Sequence, residues 1–217
     1  MKSLQVPRVA FPRGGDLTEL GKLLDREASW GTLDQLNWPS FPYEPKVRFG
    51  IAHSGASIYL KYRVDEQAVI AEKTLTNSQV SEDSCVELFI APGKDDVYYN
   101  FEWSCIGTCL VGAGTERHGR TFVEPGLIER VRRASSLGSS PFGERSMSTE
   151  WSIVVEIPVS VLSRHTITDL SGLRARGNFY KCGDHLTTPH YVTWSPIKSP
   201  APDYHRPEQF GDILFSE

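Results

Sequence analysis

A chain of 217 residues, 39% hydrophobic and 23% charged, can bury one substantial core and has the composition of a folded globular protein. Its formal net charge of −4, with no long basic run, argues against nucleic acid as the main partner. No apolar stretch reaches the roughly 20 residues of a membrane helix, and Met1–Phe11 lacks the roughly 7–15-residue apolar core of a signal peptide, so the chain as written reads as cytoplasmic with no membrane partner.

In chain order, Asp16 can cap a helix, with Glu19 three residues on as in a capping box. Leu17, Leu20, Leu23 and Leu24 then share one face, which predicts a helix from Asp16 to about Arg26. Prolines exclude regular structure from Asn37–Pro45. Val47–His53 and Ser57–Val64 alternate apolar and polar residues around Ser54-Gly55-Ala56, which predicts a hairpin. Cys85–Ile90 and Val97–Ile106 read as strands, the latter continuing as Thr108–Val111 after Gly107. Thr121–Val123 and Leu127–Ala134 are further strand candidates; Arg130, Arg132 and Arg133 would form the wet side of the second. Gly138–Ser148, rich in serine and glycine, reads as a flexible loop. Trp151–Ile157 is a strand stopped by Pro158, followed by a short helical turn over Val159–Leu162. Asn178–Cys182, Tyr191–Trp194 and Ile213–Phe215 complete the set. This density of strands predicts an all-β, two-layer antiparallel β-sandwich with a short N-terminal helix, one domain over residues 1–217. Four cysteines are too few for a disulfide scaffold at this size and are expected to be free thiols.

The period of two also assigns faces. Val86, Leu88 and Ile90 form a core stripe, which turns Glu87 the other way with Cys85 and Phe89. Tyr99, Phe101 and Trp103 share a side, leaving Asn100 and Glu102 opposite. If the two strands pair, Glu87, Asn100 and Glu102 make a polar patch able to accept sugar hydroxyls.

Four motifs occur in order. Asp83-Ser84-Cys85-Val86-Glu87-Leu88-Phe89 is followed by Tyr99-Asn100-Phe101-Glu102-Trp103, by Trp151-Ser152-Ile153-Val154-Val155-Glu156-Ile157-Pro158, and by the closing His205-Arg206-Pro207-Glu208-Gln209-Phe210-Gly211-Asp212-Ile213-Leu214-Phe215. Together they resemble the family 9 carbohydrate-binding modules. The resemblance implies a jelly-roll-like sandwich that holds a sugar between aromatic rings, non-catalytic and directed to β-linked plant polysaccharide such as xylan or cellulose. It places Tyr204 where the family has a binding tryptophan. The family's second tryptophan has no counterpart in Asn77-Ser78-Gln79-Val80, and Glu102 stands where the family presents an arginine. Trp194 is a substitute ring, and Lys181, Asp184, His205 and Arg206 are further candidates beside the sugar. The resemblance requires no cofactor, allows a structural calcium ion, and suggests a separate glycoside hydrolase as working partner.

Two rival functions share these residues. A glycoside hydrolase would use Glu87 and Glu102 as its carboxyl pair, and a protein-interaction sandwich would retain the fold with a decayed sugar site. A zinc site of Cys182, His185 and His190, joined by His118 or Cys109, lacks the tight paired spacing of structural sites. Neither G-x-S-x-G nor a phosphate-binding G-x-x-x-x-G-K-[ST] occurs.

Overall fold

Period-two alternation becomes two stacked sheets in the computed structural model, which describes residues 2–217. The elements are β1 (Ser3–Val6), α1 (Leu17–Glu27), β2 (Ser29–Leu33), β3 (Lys46–His53), β4 (Ser57–Glu66), β5 (Val69–Ala71), β6 (Cys85–Ala91), β7 (Tyr98–Ser104), β8 (Cys109–Gly114), β9 (Thr121–Phe122), α2 (Pro125–Ile128), β10 (Arg132–Ser135), β11 (Phe142–Arg145), β12 (Thr149–Pro158), β13 (Arg174–Cys182), β14 (Tyr191–Thr193) and β15 (Gly211–Phe215). The larger sheet runs β1-β15-β13-β6-β7-β8-β9, with β14 also on β13; the smaller runs β10-β12-β4-β3-β2. Strand pairs are antiparallel except β1 with β15, which is parallel. The architecture is the predicted antiparallel sandwich.

Inward residues of both sheets form one core. Ile51, Leu60, Tyr62 and Ile153 face Val86, Leu88, Phe101 and Phe179. Phe49 stacks on Phe179 with centroids 3.7 Å apart, and the Tyr62 hydroxyl donates to the Glu87 carbonyl at 2.6 Å, tying sheet to sheet. Each such side chain contributes about 1.5–3 kcal/mol by leaving water.

The outer face of the smaller sheet is covered by α1, whose Leu20 and Leu24 pack on Val9, Ala52, Tyr59 and Val154. Asp16 caps it as expected, its Oδ1 accepting from the amides of Thr18 (2.8 Å) and Glu19 (3.2 Å). Glu19 does not complete a capping box; it pairs with Lys22 at 2.7 Å instead. Asp16→Ala should cost about 1 kcal/mol, read as a fall of about 2–4 °C in Tm.

The structure corrects three expectations. Leu127–Ala134 is not one strand, because Pro125 starts the single turn α2 and only Arg132–Ser135 pairs, with β12. Arg130 is exposed as expected, but the other two arginines are engaged: Arg132 pairs with Glu156 at 2.8 Å, and the Arg133 guanidinium donates to the carbonyls of Gly107, Ile128 and Val131. Gly138–Ser148 is not loop throughout, since β11 within it pairs with β5. Strands β1, β2 and β5 had no counterpart in the sequence reading. All four cysteines are buried thiols. Among the described residues no helix is long and apolar enough to cross a membrane.

Candidate functional site: a lidded pocket on the larger sheet

An outer sheet face is ordinarily wet. On the larger sheet it carries Cys85 and Phe89 from β6, Tyr98 from β7, Leu110 from β8, and Tyr180 and Cys182 from β13, all buried. Their cover is loop: Trp38 from the proline-rich segment, and Ile197, Tyr204 and Phe210 from the run before β15. This second apolar cluster explains the aromatics that irregular backbone could not bury by itself. The cover leaves a pocket of about 110 Å³, lined among others by Glu87, Glu102, Arg117, Arg120, Asp184, Tyr191, Tyr204 and His205.

Its floor is a carboxyl pair. Glu87 and Glu102 are direct partners across β6 and β7, 2% and 5% exposed. Burial pushes Glu87 well above the usual carboxylate range, and the Glu102 charge pushes it further. Burial likewise lifts Glu102, to about 7, against the pull of Arg120 and the Asn100 hydrogen bond. The Cys182 thiol donates to Glu87 Oε1 at 3.1 Å, and Asn100 Nδ2 donates to Glu102 Oε1 at 2.9 Å. The floor can thus donate as well as accept near neutral pH.

One wall comes from the segment joining β8 and β9. Arg120 lies against His205, which burial and the arginine hold down to about pKa 2 and therefore neutral. A guanidinium only donates, so the ring nitrogen facing it, Nε2, accepts. Nδ1 then carries the hydrogen, donating to the Tyr98 hydroxyl oxygen at 2.7 Å. A further part of the lining is aromatic. Tyr204 stacks on Tyr180, centroids 4.1 Å apart and planes 8° from parallel, and its hydroxyl donates to the Lys181 carbonyl at 2.9 Å. Tyr191 meets it edge-on. Asp184 Oδ1 is buried without a hydrogen-bond partner.

The structure gathers Glu87, Glu102, Asp184, Tyr204 and His205 at the pocket and separates the other candidates. Asn100 is fully buried behind Glu102. Lys181 follows the Phe179 side of β13 and points between the sheets, Nζ 2.8 Å from Glu66 Oε2 and 2.8 Å from His190 Nε2. Trp194 belongs to the main core, edge-on to Phe49 and Phe179. Arg206 turns to Asp203 at 2.9 Å. Sequence reasoning missed Arg117 and Arg120, which sit in a turn without periodicity; Arg120 brings a guanidinium to Glu102 from the neighbouring segment. The zinc grouping is not assembled, since His190 is held by Lys181 and His185 is exposed beside Glu82. Among the described residues one set of convergent metal-type donors is present, Cys85, Glu87 and Cys182, which is softer than the all-oxygen cage calcium takes.

The model of the family described as Carbohydrate-binding family 9 matches residues 18–215. A crystal structure of a Bacteroides uniformis protein, described as a candidate carbohydrate-binding protein, is 41% identical with a TM-score of 0.96, each chain covered to 99%. Two structures of a family 9 carbohydrate-binding module from Caldicellulosiruptor kristjanssonii share the fold. The glucose complex is 11% identical with a TM-score of 0.60, covering 99% of this chain and 96% of that one. The cellotriose complex is 10% identical with a TM-score of 0.61, covering 99% and 94%. No match is found among curated proteins.

Proposed function

The chain belongs to carbohydrate-binding family 9, and from that premise we propose that its pocket takes the end of a β-linked oligosaccharide, of the cellulose or xylan type, without cleaving it. The observation that carries this reading is the buried Glu87–Glu102 pair at the floor of a pocket walled by Arg120 and Tyr204. Sugar hydroxyls both donate and accept, which suits a carboxyl pair lifted by burial, Glu102 to about 7, beside a guanidinium, and pyranose C–H groups suit an aromatic wall. The small volume favours one terminal ring over a chain laid along a groove.

A hydrolase is disfavoured by the same geometry. It requires two carboxyls on either side of the scissile bond, one of them ionised as nucleophile or base. Glu87 and Glu102 stand side by side on adjacent strands of one floor, and burial raises both. A separate glycoside hydrolase acting on the same polysaccharide is the partner this function suggests.

Calorimetric titration with glucose, cellotriose and xylobiose tests the proposal. Heat is expected from the unmodified protein, and Arg120→Ala should weaken binding about 10–100-fold, the worth of one hydrogen bond to a charged group. No heat at millimolar sugar, or full affinity in Arg120→Ala, would overturn it, and turnover of cellotriose would revive the hydrolase.

A further inference from the structure

Beside Glu87 the pocket holds two thiols that sugar recognition does not use. Cys85 and Cys182 are direct partners across β6 and β13, so both thiols stand on the same outer face. Glu87, two residues beyond Cys85, shares that face. The donor atoms of the three residues lie within 4.8 Å of one another, and the Cys182 Sγ to Glu87 Oε1 contact is 3.1 Å. Two sulfurs bound tetrahedrally at ~2.3 Å from one metal sit roughly 3.8 Å apart, so closure needs movements of about 1 Å or less. Two strands already hydrogen-bonded to each other hold the donors in place before any ion arrives.

We propose that Cys85, Cys182 and Glu87 bind a thiophilic divalent cation, zinc or cadmium, in the wall of the pocket. Two sulfurs select against calcium and magnesium, which take oxygen. Three protein ligands leave a fourth position for water, as in zinc sites that keep one position open. Cys182 and Glu87 both line the cavity, so that position opens into it. Asp184 stands on the same wall two residues beyond Cys182, and its Oδ1 is a buried acceptor with no partner. An ion or its bound water would satisfy that atom. The site goes beyond carbohydrate binding and shares Glu87 with it, so ion and sugar would sense one another through this carboxylate.

The test is titration of the full, reduced chain with Cd²⁺, following the thiolate-to-cadmium charge-transfer absorption, with Zn²⁺ as competitor. One equivalent of cadmium should develop the band, and zinc should displace it. Cys85→Ser and Cys182→Ser should each lose it, while Cys105→Ser and Cys109→Ser, which alter thiols of the main core, should keep it. Glu87→Gln, checked for native circular dichroism, should weaken binding by at least the roughly 10–100-fold that loss of an outer-shell partner costs. A missing band in the unmodified protein would overturn the assignment, and so would a band that survives both Cys85→Ser and Cys182→Ser. No sugar enters this titration, so its outcome is separate from that of the carbohydrate reading.

Discussion

Exchanging Lys181 for methionine should lower stability by about 3–5 kcal/mol, a fall of about 6–20 °C in Tm for a chain of this size. Lys181 and Glu66 are both fully excluded from water, and Nζ lies 2.8 Å from the carboxylate. Without the cation, Glu66 retains the indole of Trp151 as a donor at 2.7 Å, and its charge is uncompensated. His190 supplies a second signature. Burial and the neighbouring Lys181 hold it down to about pKa 2, with Nε2 3.5 Å from Glu66. Removing Lys181 lets the imidazole take a proton and stand in for the lost charge. The variant's folded His190 then titrates higher, so its deficit should shrink as pH falls from 8 to 5. Thermal melts at both pH values measure this, and Glu66→Gln combined with Lys181→Met should recover part of the loss. A deficit below about 1 kcal/mol would show that the pair is not an isolated buried charge couple. Sugar affinity of the folded variant should be unchanged, because Lys181 points away from the pocket.

Glu102→Gln should act in the opposite direction, raising stability at pH 8 by up to about 3 kcal/mol. The folded carboxyl titrates at about 7 against an ordinary 4.5. Below about pH 4.5 both folded and unfolded chains hold the proton, and the group contributes no difference. Between 4.5 and 7 the unfolded chain releases it while the folded chain keeps it, so stability drains away as pH rises, and above 7 the whole deficit is present. The glutamine amide accepts from Asn100 as the carboxyl did and carries no charge to desolvate. The advantage of the variant should therefore be full at pH 8 and vanish near pH 4. Comparing variant and parent at each pH cancels His190 and His205, whose neutral folded forms lose stability as pH falls. An advantage independent of pH would mean that Glu102 is ionised normally in the fold.

The floor of the site was legible because a strand's alternation decides which residues share a face. Val86, Leu88 and Ile90 could only be core, and that placed Glu87 beside Glu102 once the strands paired. The same parity put Lys181 with Phe179 on the inner side, a reading that a buried lysine makes easy to overlook, since it depends on a counter-charge from the distant strand β4. The walls were less legible. Arg117 and Arg120 lie in a turn where no period constrains direction, and Tyr204 reaches its place through a loop. Trp194 could have been ring or core from composition alone; its partners Phe49 and Phe179 come from different sheets. Strands β1, β2 and β5 are short, and their existence rests on neighbours remote in sequence. Helix α2 escaped notice because a single turn carries no amphipathic signature.

The parallel pairing of β1 with β15 joins Ser3–Val6 to Asp212–Phe215. Tyr204, His205 and Phe210 precede that closing strand directly, so the aromatic and histidine walls of the pocket are made in the same late stretch. During synthesis at roughly 5–20 residues per second, everything up to β14 leaves the ribosome with the larger sheet open along β13 and with β1 unpaired. Native contacts this far apart along the chain also fold slowly once the chain is free. The pocket is therefore completed only when the closing strand has joined the sheet, and until then the Glu87–Glu102 floor and the exposed edge of β13 are surfaces for a chaperone to shield.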